Sequence, residues 1–483
     1  MGAGLTVGRL GVVGAGTMGA GIAQLGCAAG FATVLHDPLP EALARGEAGA
    51  RGGLARWAEK GRIGSEADRL LSTAAALDGL ASCDLVIEAA PERLELKREL
   101  FAELSRICGP AAVLATNTSS IPVTALASAA ERPENVVGMH FFNPPPLMRL
   151  LEVIRADQTG ERAVEVAREV GAAMGKDAIL AADGPGFLVN RCGRPFYTEA
   201  LRCLQERIAT HDAIDRIYRL GGGFRMGPFE LMDLVGVDTG LEVAKSFTEL
   251  SFGEPRWRPN PIQARMVAAG RLGRKSGRGY YDYSREPYRA EDPAAPEPSA
   301  AALRDALGGP AEPSAQSRAA AFEAMASAAG IVDCSVAALG PRGAVGYSLL
   351  PGAGLVELCG ERDPHAEELA ARAGLHCEWV GDAPGLVLGR VVAQLVNEAA
   401  FAIGEGVGSA EDVDRGLELG LNHPRGPVGW SRQLGLDRVL AILDGLWTHY
   451  REERYRPAPL LVRAAAVGAR SLGDERQRSR QHR

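Results

Sequence analysis

Along the first 183 residues, short apolar runs alternate with longer stretches of helical spacing. The runs predict strands at Leu10–Val13, Thr33–His36, Leu85–Ala89, Val113–Thr116, Val136–His140 and Leu150–Ile154. Between them, Glu92–Ile107 carries Leu96, Leu100, Leu104 and Ile107 at spacings of four and three, with charges between, which predicts a helix. Strands interleaved with helices predict a mostly parallel sheet covered on both faces. From Pro185 to about Tyr283 the pattern turns helical, and Glu286–Pro313 is rich in Pro, Ala and Glu, the composition of a linker. From Ala315 to Val380 a smaller α/β pattern follows, with apolar runs near Ala337–Leu339, Leu355–Leu358 and Glu378–Val380.

The chain repeats itself. Asp183-Gly-Pro-Gly-Phe187 returns as Asp382-Ala-Pro-Gly-Leu386, an offset of 199. At the same offset Glu199 matches Glu398, Asp215 matches Asp414, Gly227-Pro228 matches Gly426-Pro427, and Gly236-Val-Asp238 matches Gly435-Leu-Asp437. One offset held over more than fifty residues predicts two copies of the helical domain.

Composition narrows the class. With 483 residues, 46% hydrophobic and 23% charged, the chain has material for about three ordinary globular domains. A net charge of −7 gives no basic surface for nucleic acid; only Arg476–Arg483 is basic, and it reads as a solvated tail. The eight cysteines form no CxxC pair and read as buried thiols of a reducing cytoplasm, neither disulfides nor zinc ligands. No apolar run is long enough to span a membrane. The N-terminus enters a strand almost at once, so no signal peptide is expected.

The first strand leads into Gly14-Ala15-Gly16-Thr17-Met18-Gly19. In such a GxGxxG turn the first glycine allows the tight bend, the second lets backbone approach a pyrophosphate, and the third lets helix pack on strand. The helix N-terminus then offers free N–H groups to the phosphates. Alone this is a weak signal. Asp37, at the end of the next strand, strengthens it: a carboxylate there accepts from both ribose hydroxyls and repels a 2′-phosphate, favouring NAD over NADP. A flavin dinucleotide uses a similar fingerprint and remains an alternative.

Three further motifs fall at carboxyl ends of strands, where ligands sit in open α/β sheets. They are Asn117-Thr-Ser119-Ser120, His140-Phe-Phe-Asn143-Pro144 and Glu152. A fourth, Pro185-Gly-Phe-Leu-Val-Asn190-Arg191, opens the helical domain. Oxidation of a carbinol by hydride transfer needs a base for the hydroxyl proton, and histidine suits neutral pH. Glu152 on the far ring nitrogen of His140 would fix its tautomer, provided their strands are neighbours. No cluster with metal-ligand spacing is visible, and no metal is expected. A lone strand histidine is more often a satisfied core residue, so the neighbours carry this reading.

Together these motifs, with Val86-Ile-Glu-Ala-Ala-Pro-Glu92, Leu151-Glu-Val-Ile154, Met226-Gly-Pro-Phe-Glu-Leu231 and Lys275-Ser-Gly-Arg-Gly-Tyr280, resemble the 3-hydroxyacyl-CoA dehydrogenase family. The resemblance covers roughly residues 5–284, and 382–473 as the second helical copy. It implies that His140 is the base and Glu152 its partner, and that Ser119 and Asn190 hold the substrate's 3-oxygen. It implies that Gly14, Ala15, Gly16, Thr17, Met18, Gly19 and Asp37 bind NAD, with Glu92, Lys97, Asn117 and Asn143 near the nicotinamide and Lys275 reaching in from the helical domain. Coenzyme A contacts are expected from Arg51–Lys60, with Arg51 and Lys60 as candidates against a plain solvated helix face.

The expected fold is α/β. An N-terminal Rossmann-type doubly wound domain (1–183) precedes an all-helical domain (184–284) and a linker (285–314). A small reduced Rossmann-like domain (315–380), a second helical copy (381–473) and a disordered basic tail (474–483) follow. This layout is similar to that of bacterial enzymes of phenylacetate breakdown that oxidise 3-hydroxyadipyl-CoA, with relatives acting on 3-hydroxybutyryl-CoA. No hydratase half is expected before residue 1. Gly389 stands where Asn190 stands in the first copy and no HFFNP-like segment precedes it, so one active site per chain is expected. The expected partner is an acyl-CoA thioester, with neither nucleic acid nor membrane. The two helical copies would pack as an internal pseudo-dimer, and a homo-oligomer stays open. Arg149, Arg191 and Arg225 are candidate cations for a dicarboxylic acyl group. A sugar-acid dehydrogenase of related fold and a non-enzymatic NAD-binding protein remain the alternatives.

Overall fold

The structure, a computed structural model, describes residues 7–309 and 312–474; all but Asp474 of the expected basic tail lies outside them. Of these, 7–189 together with 406–421 form one compact unit, and 190–405 with 422–474 form another.

The first unit is built on an eight-stranded sheet. Its strands are β1 (Arg9–Val13), β2 (Ala32–His36), β3 (Leu71–Ala74), β4 (Leu85–Glu88), β5 (Val113–Thr116), β6 (Val136–Phe141), β7 (Leu150–Arg155) and β8 (Asp177–Ala182). They lie in the order β3-β2-β1-β4-β5-β6-β7-β8. Only β6 and β7 pair antiparallel. The order reverses between β1 and β4, which opens a crevice at the carboxyl ends of those strands. The apolar runs of the central strands are buried on both faces, Leu10, Val12, Leu35, Ile87 and Ala115 among them.

Sequence reading missed β3 and β8. Leu71-Ser-Thr-Ala buries little more than its leucine, and Asp177-Ala-Ile-Leu-Ala-Ala is alanine-rich and half-buried. The first makes no apolar run, and the run in the second, Ala178–Ala182, is mostly alanine, which has little preference for strands.

Helices α1 (Thr17–Ala28), α2 (Pro40–Glu59) and α3 (Leu94–Ile107) follow β1, β2 and β4. The segment 406–421 belongs to the second helical copy in sequence, yet its helix Ala410–Gly420 packs on β7 and β8. Ala182 N–H donates to Val407 O at 2.7 Å, and Arg415 pairs with Asp177. Gly416 permits the approach: a Cβ there would lie 2.9 Å from Val189.

In the second unit, helix Arg194–Gln205 packs along helix Leu388–Gly404. Arg191 Nε donates to Glu398 at 2.8 Å and Arg390 Nε to Glu199 at 2.7 Å. Each arginine sits 199 residues from its counterpart, as does each glutamate, so the contact is reciprocal. Arg256 completes the first pair at 2.8 Å and Arg454 the second at 3.0 Å.

The same unit holds a four-stranded sheet of β9 (Val332–Asp333), β10 (Val345–Ser348), β11 (Leu355–Gly360) and β12 (His376–Trp379), ordered β12-β11-β10-β9. Its pairing, parallel, antiparallel, parallel, repeats that of β5 to β8. Glu357 on β11 accepts from Val387 and Leu388 N–H, as Glu152 on β7 accepts from Leu188 and Val189; the donors keep the offset of 199, while the glutamates lie 205 residues apart. This sheet is therefore the later half of a Rossmann sheet without the glycine-loop half.

Two expectations need correction. Ala337–Leu339 is no strand: Leu339 and Gly340 give their N–H groups to Asp382 and open a short helical turn. The Pro-rich stretch contains a helix, Ala300–Leu307, because Ser299 caps its start and Gly308 its left-handed end, while Leu303 is fully buried.

Candidate active site

The glycine loop shows why each glycine is there. Gly14 has φ +97°, and a Cβ there would lie 2.6 Å from Ala89 O. A Cβ on Gly19 would lie 1.8 Å from Gly14 O, so helix and strand could not pack. At Gly16 a Cβ would meet nothing within 4 Å. The protein's own packing does not require that glycine, and its lack of a side chain leaves room for a group pressed against the loop. Gly16 also caps α1 without a side-chain acceptor, leaving the N–H groups of the first turn without a capping side chain. These features fit a dinucleotide pyrophosphate. Asp37 Oδ2 accepts from Ala15 N–H at 2.9 Å and Oδ1 from Leu39 N–H at 3.0 Å, which ties the carboxylate to the loop.

A cleft of 520 Å³ runs from this loop between α1, α2 and the Pro144–Pro146 turn. Arg45 of α2 lines it. Lys176 holds the far wall, donating to Pro145 O at 2.5 Å and Met148 O at 2.7 Å; burial pushes its ammonium down to about 8.

His140 and Glu152 face each other across the antiparallel β6–β7 pair. His140 Nδ1 lies 3.0 Å from Glu152 Oε2 in a buried contact. Oε1 of the same carboxylate accepts from Leu188 N–H at 2.8 Å and Val189 N–H at 3.0 Å. A carboxylate held this way keeps the proton on Nδ1 and leaves Nε2 as the basic nitrogen. Phe142 packs against the imidazole with ring centroids 4.7 Å apart, and Phe187 at 6.0 Å. Both aromatics stand inside sequence motifs, but their contact with His140 is set by the fold.

Ser119 is exposed at the carboxyl end of β5. Its turn is shaped by Glu92, whose Oε1 accepts from Ser119 and Ser120 N–H and from the Thr118 and Ser120 hydroxyls. Burial raises the Glu92 carboxyl, but Lys97 and the two hydroxyls outweigh it and hold it below the usual range. Asn117 Oδ1 accepts from Phe141 N–H at 2.8 Å, fixing β5 to the residue after His140. Asn143 is exposed at the end of the HFFNP segment.

Two assigned residues are placed elsewhere. Lys97 is fully buried, donating to both oxygens of Glu88 and pairing with Glu92 at 3.1 Å. It offers a cofactor no surface; it neutralises two carboxylates beneath the Ser119 turn. Arg51 spends its guanidinium on Glu47, Asp68 and the Asp68 and Leu71 carbonyls, clamping α2 to the chain before β3. It is not free for a coenzyme A phosphate, whereas Lys60 is exposed. Asn190 and Lys275 belong to the second compact unit, where Lys275 pairs with Asp238 at 2.6 Å. Of the three arginines offered for a dicarboxylate, Arg191 is consumed by Glu398 and Glu405, and Arg149 bonds Asp177 while largely exposed.

Residues 9–184 match the family described as 3-hydroxyacyl-CoA dehydrogenase, NAD binding domain, and residues 186–283 and 385–478 match its C-terminal domain. The chain belongs to the 3-hydroxyacyl-CoA dehydrogenase family. It is similar to the 3-hydroxyadipyl-CoA dehydrogenase of Escherichia coli K12, at 37% identity over 96% of this chain and 98% of the relative. The 3-hydroxybutyryl-CoA dehydrogenase of Bradyrhizobium diazoefficiens is 43% identical over 57% of this chain and 95% of its own. Among solved structures, a 3-hydroxybutyryl-CoA dehydrogenase from E. coli K12 superposes with a TM-score of 0.83 at 35% identity, covering 96% of this chain and 99% of that one. The chain is thus an NAD-dependent 3-hydroxyacyl-CoA dehydrogenase. No helix among the described residues is long and apolar enough to cross a membrane.

The second copy has no histidine at the matching register position. On β10, Ser348 faces Glu357 where His140 faces Glu152. Gly389 stands for Asn190, and no glycine loop precedes this sheet.

Proposed function

We propose that this enzyme interconverts an (S)-3-hydroxyacyl-CoA and its 3-oxoacyl-CoA at one site per chain. The observation that carries the reading is the buried His140–Glu152 pair, on the sheet that begins with the glycine loop. Gly14–Gly19 and Asp37 would hold NAD, with Asn117, Asn143 and Lys275 as further candidate contacts, and the cofactor would supply the hydride acceptor for C3. His140 Nε2 takes the C3 hydroxyl proton as the carbonyl forms, and Glu152 stabilises the resulting imidazolium. The Ser119 hydroxyl and Asn190 orient the 3-oxygen toward Nε2. Coenzyme A lies along α2, with Lys60 as its candidate cation and Arg45, which lines the cleft, as an addition.

For the acyl group we favour 3-hydroxyadipyl-CoA, then 3-hydroxybutyryl-CoA. The first is named for a relative aligned over nearly the whole length, second helical copy included. The reciprocal Arg191–Glu398 and Arg390–Glu199 pairs support reading the two helical copies (184–284 and 381–473) as an internal pseudo-dimer, and the eight free cysteines support a reducing, cytoplasmic setting.

The test is NADH oxidation with acetoacetyl-CoA and with 3-oxoadipyl-CoA in parallel. Turnover of either fits the reaction, and the ratio of kcat/KM ranks the substrates. NADH binding without turnover of either would discard the acyl-CoA reading and send the search to sugar acids.

A further inference from the structure

The small sheet brings together three groups that lie far apart in sequence. Cys334 Sγ and Cys359 Sγ are 3.9 Å apart, and Cys359 Sγ is 4.0 Å from Asp382 Oδ1. One ligand atom from each of the three lies within 4.8 Å of the others. Both cysteines are fully buried, while Asp382 is exposed and marks a short path to solvent.

The sulfurs meet over a glycine. Cys359 pairs with Gly346 on β10, and Cys334 continues the line of β9, its N–H donating to Tyr347 O at 2.7 Å. A Cβ on Gly346 would lie 2.5 Å from one sulfur and 2.9 Å from the other. The two cysteines therefore flank a strand from opposite sides. Neighbouring strands lie about 4.8 Å apart, so such positions are separated by roughly 9.6 Å. A disulfide wants Cα atoms within about 7 Å, so closing one would break the ladder. A tetrahedral ion with bonds of about 2.3 Å to sulfur holds its two sulfurs about 3.8 Å apart, close to the spacing observed.

We propose that Cys334, Cys359 and Asp382 form a structural site for one thiophilic divalent cation of the zinc class. The ion ties β9, β11 and the turn after β12 together and leaves a fourth position to solvent. The charges close: two thiolates and a carboxylate against a dication leave −1, and Arg342, whose Nη2 is 3.7 Å from Cys334 Sγ, supplies +1. Arg342 is itself fixed by the Ala337 and Ala338 carbonyls.

The fold alone does not explain the cysteines. By the pairing of the two sheets, Gly346 corresponds to Gly138, Cys359 to Ile154 and Cys334 to Thr118. Asp382 does have a counterpart: Asp183 accepts from Thr124 N–H at 2.7 Å, as Asp382 does from Leu339 and Gly340. The carboxylate is inherited from the shared architecture, and the thiols are added only in the copy that lost its catalytic histidine.

The experiment uses the full chain, reduced, stripped with a chelator and titrated with Co²⁺. The expected result is one Co²⁺ per chain with sulfur-to-cobalt charge-transfer absorption, displaced by Zn²⁺. Cys359→Ile and Cys334→Thr, which install the first copy's residues, should each abolish that absorption while keeping NADH turnover; Cys27→Ser should keep both. Either variant suffices if the other fails to fold. A wild-type chain without the sulfur band, a band that survives both substitutions, or a Cys334–Cys359 disulfide in protein isolated without reductant would overturn the proposal.

Discussion

The ring of His140 is held from two directions: Glu152 fixes Nδ1 and Phe142 covers one face. Removing the base while keeping its shape separates chemistry from binding. His140→Gln should lower kcat by about two to four powers of ten and leave NADH affinity nearly unchanged. Steady-state rates and a tryptophan-quenching titration check this, and an unchanged kcat would take His140 out of the mechanism. The glycine loop offers a second contrast. Gly19→Ala places a methyl 1.8 Å from Gly14 O and should destabilise the fold by about 3 kcal/mol or more. Gly16→Ala meets no protein atom within 4 Å, so stability should hold while NADH binding weakens by about tenfold or more. Equal melting points for both variants would refute this division of roles.

Strand pairing decides what the two glutamates do. Glu152 and Glu357 accept the same two backbone N–H groups in their respective copies, but only Glu152 has a histidine opposite. Burial pushes the Glu357 carboxyl up to about 8 from 4.5. The folded state then holds a proton that the unfolded chain has lost. Its contribution is fully present below about pH 4.5 and is lost as pH rises through about 8. Glu357→Gln mimics the protonated form, so its melting point should gain on wild type from pH 5 to pH 9, with turnover unaffected. A difference that is flat with pH, or of opposite sign, would show that Glu357 is ionised throughout. Most strands of the first sheet were legible because their apolar runs are buried on both faces. β3 and β8 were not, because an edge strand carries no such run and the run of β8 is alanine-rich and only half-buried. Lys97, expected beside the nicotinamide from the family resemblance, is instead fully buried against Glu88 and Glu92.

At the scale of the molecule, the two helical copies meet through buried reciprocal ion pairs. Arg390 is fully buried and serves Glu199, Glu206, Tyr450 and Tyr455. Arg390 serves two glutamates in a low-dielectric interior, so Arg390→Met should cost about 3–5 kcal/mol, and adding Glu199→Leu should not recover it, because buried Arg454 then loses its partner. Chemical denaturation of the single and double variants measures both; a single variant as stable as wild type would mean that these charges do not hold the copies together. The exchange of segment 406–421 into the first compact unit is also a property of this scale, since nothing in its local pattern distinguishes it from the rest of its copy.

The sequence alone determined the glycine loop, Asp37, the positions of most strands, the duplication and the candidates His140 and Glu152, because these depend on local periodicity, local turn chemistry or self-similarity along one chain. Only the tertiary structure decided which polar groups meet. Strand register set His140 against Glu152 and Ser348 against Glu357, and helix packing turned Lys97 and Arg51 from ligand candidates into internal counter-ions. The meeting of Cys334, Cys359 and Asp382 was invisible in sequence for the same reason. Their separations of 25 and 23 residues match no ligand spacing, and a parallel–antiparallel sheet with a glycine at its centre is what brings them within reach of one ion.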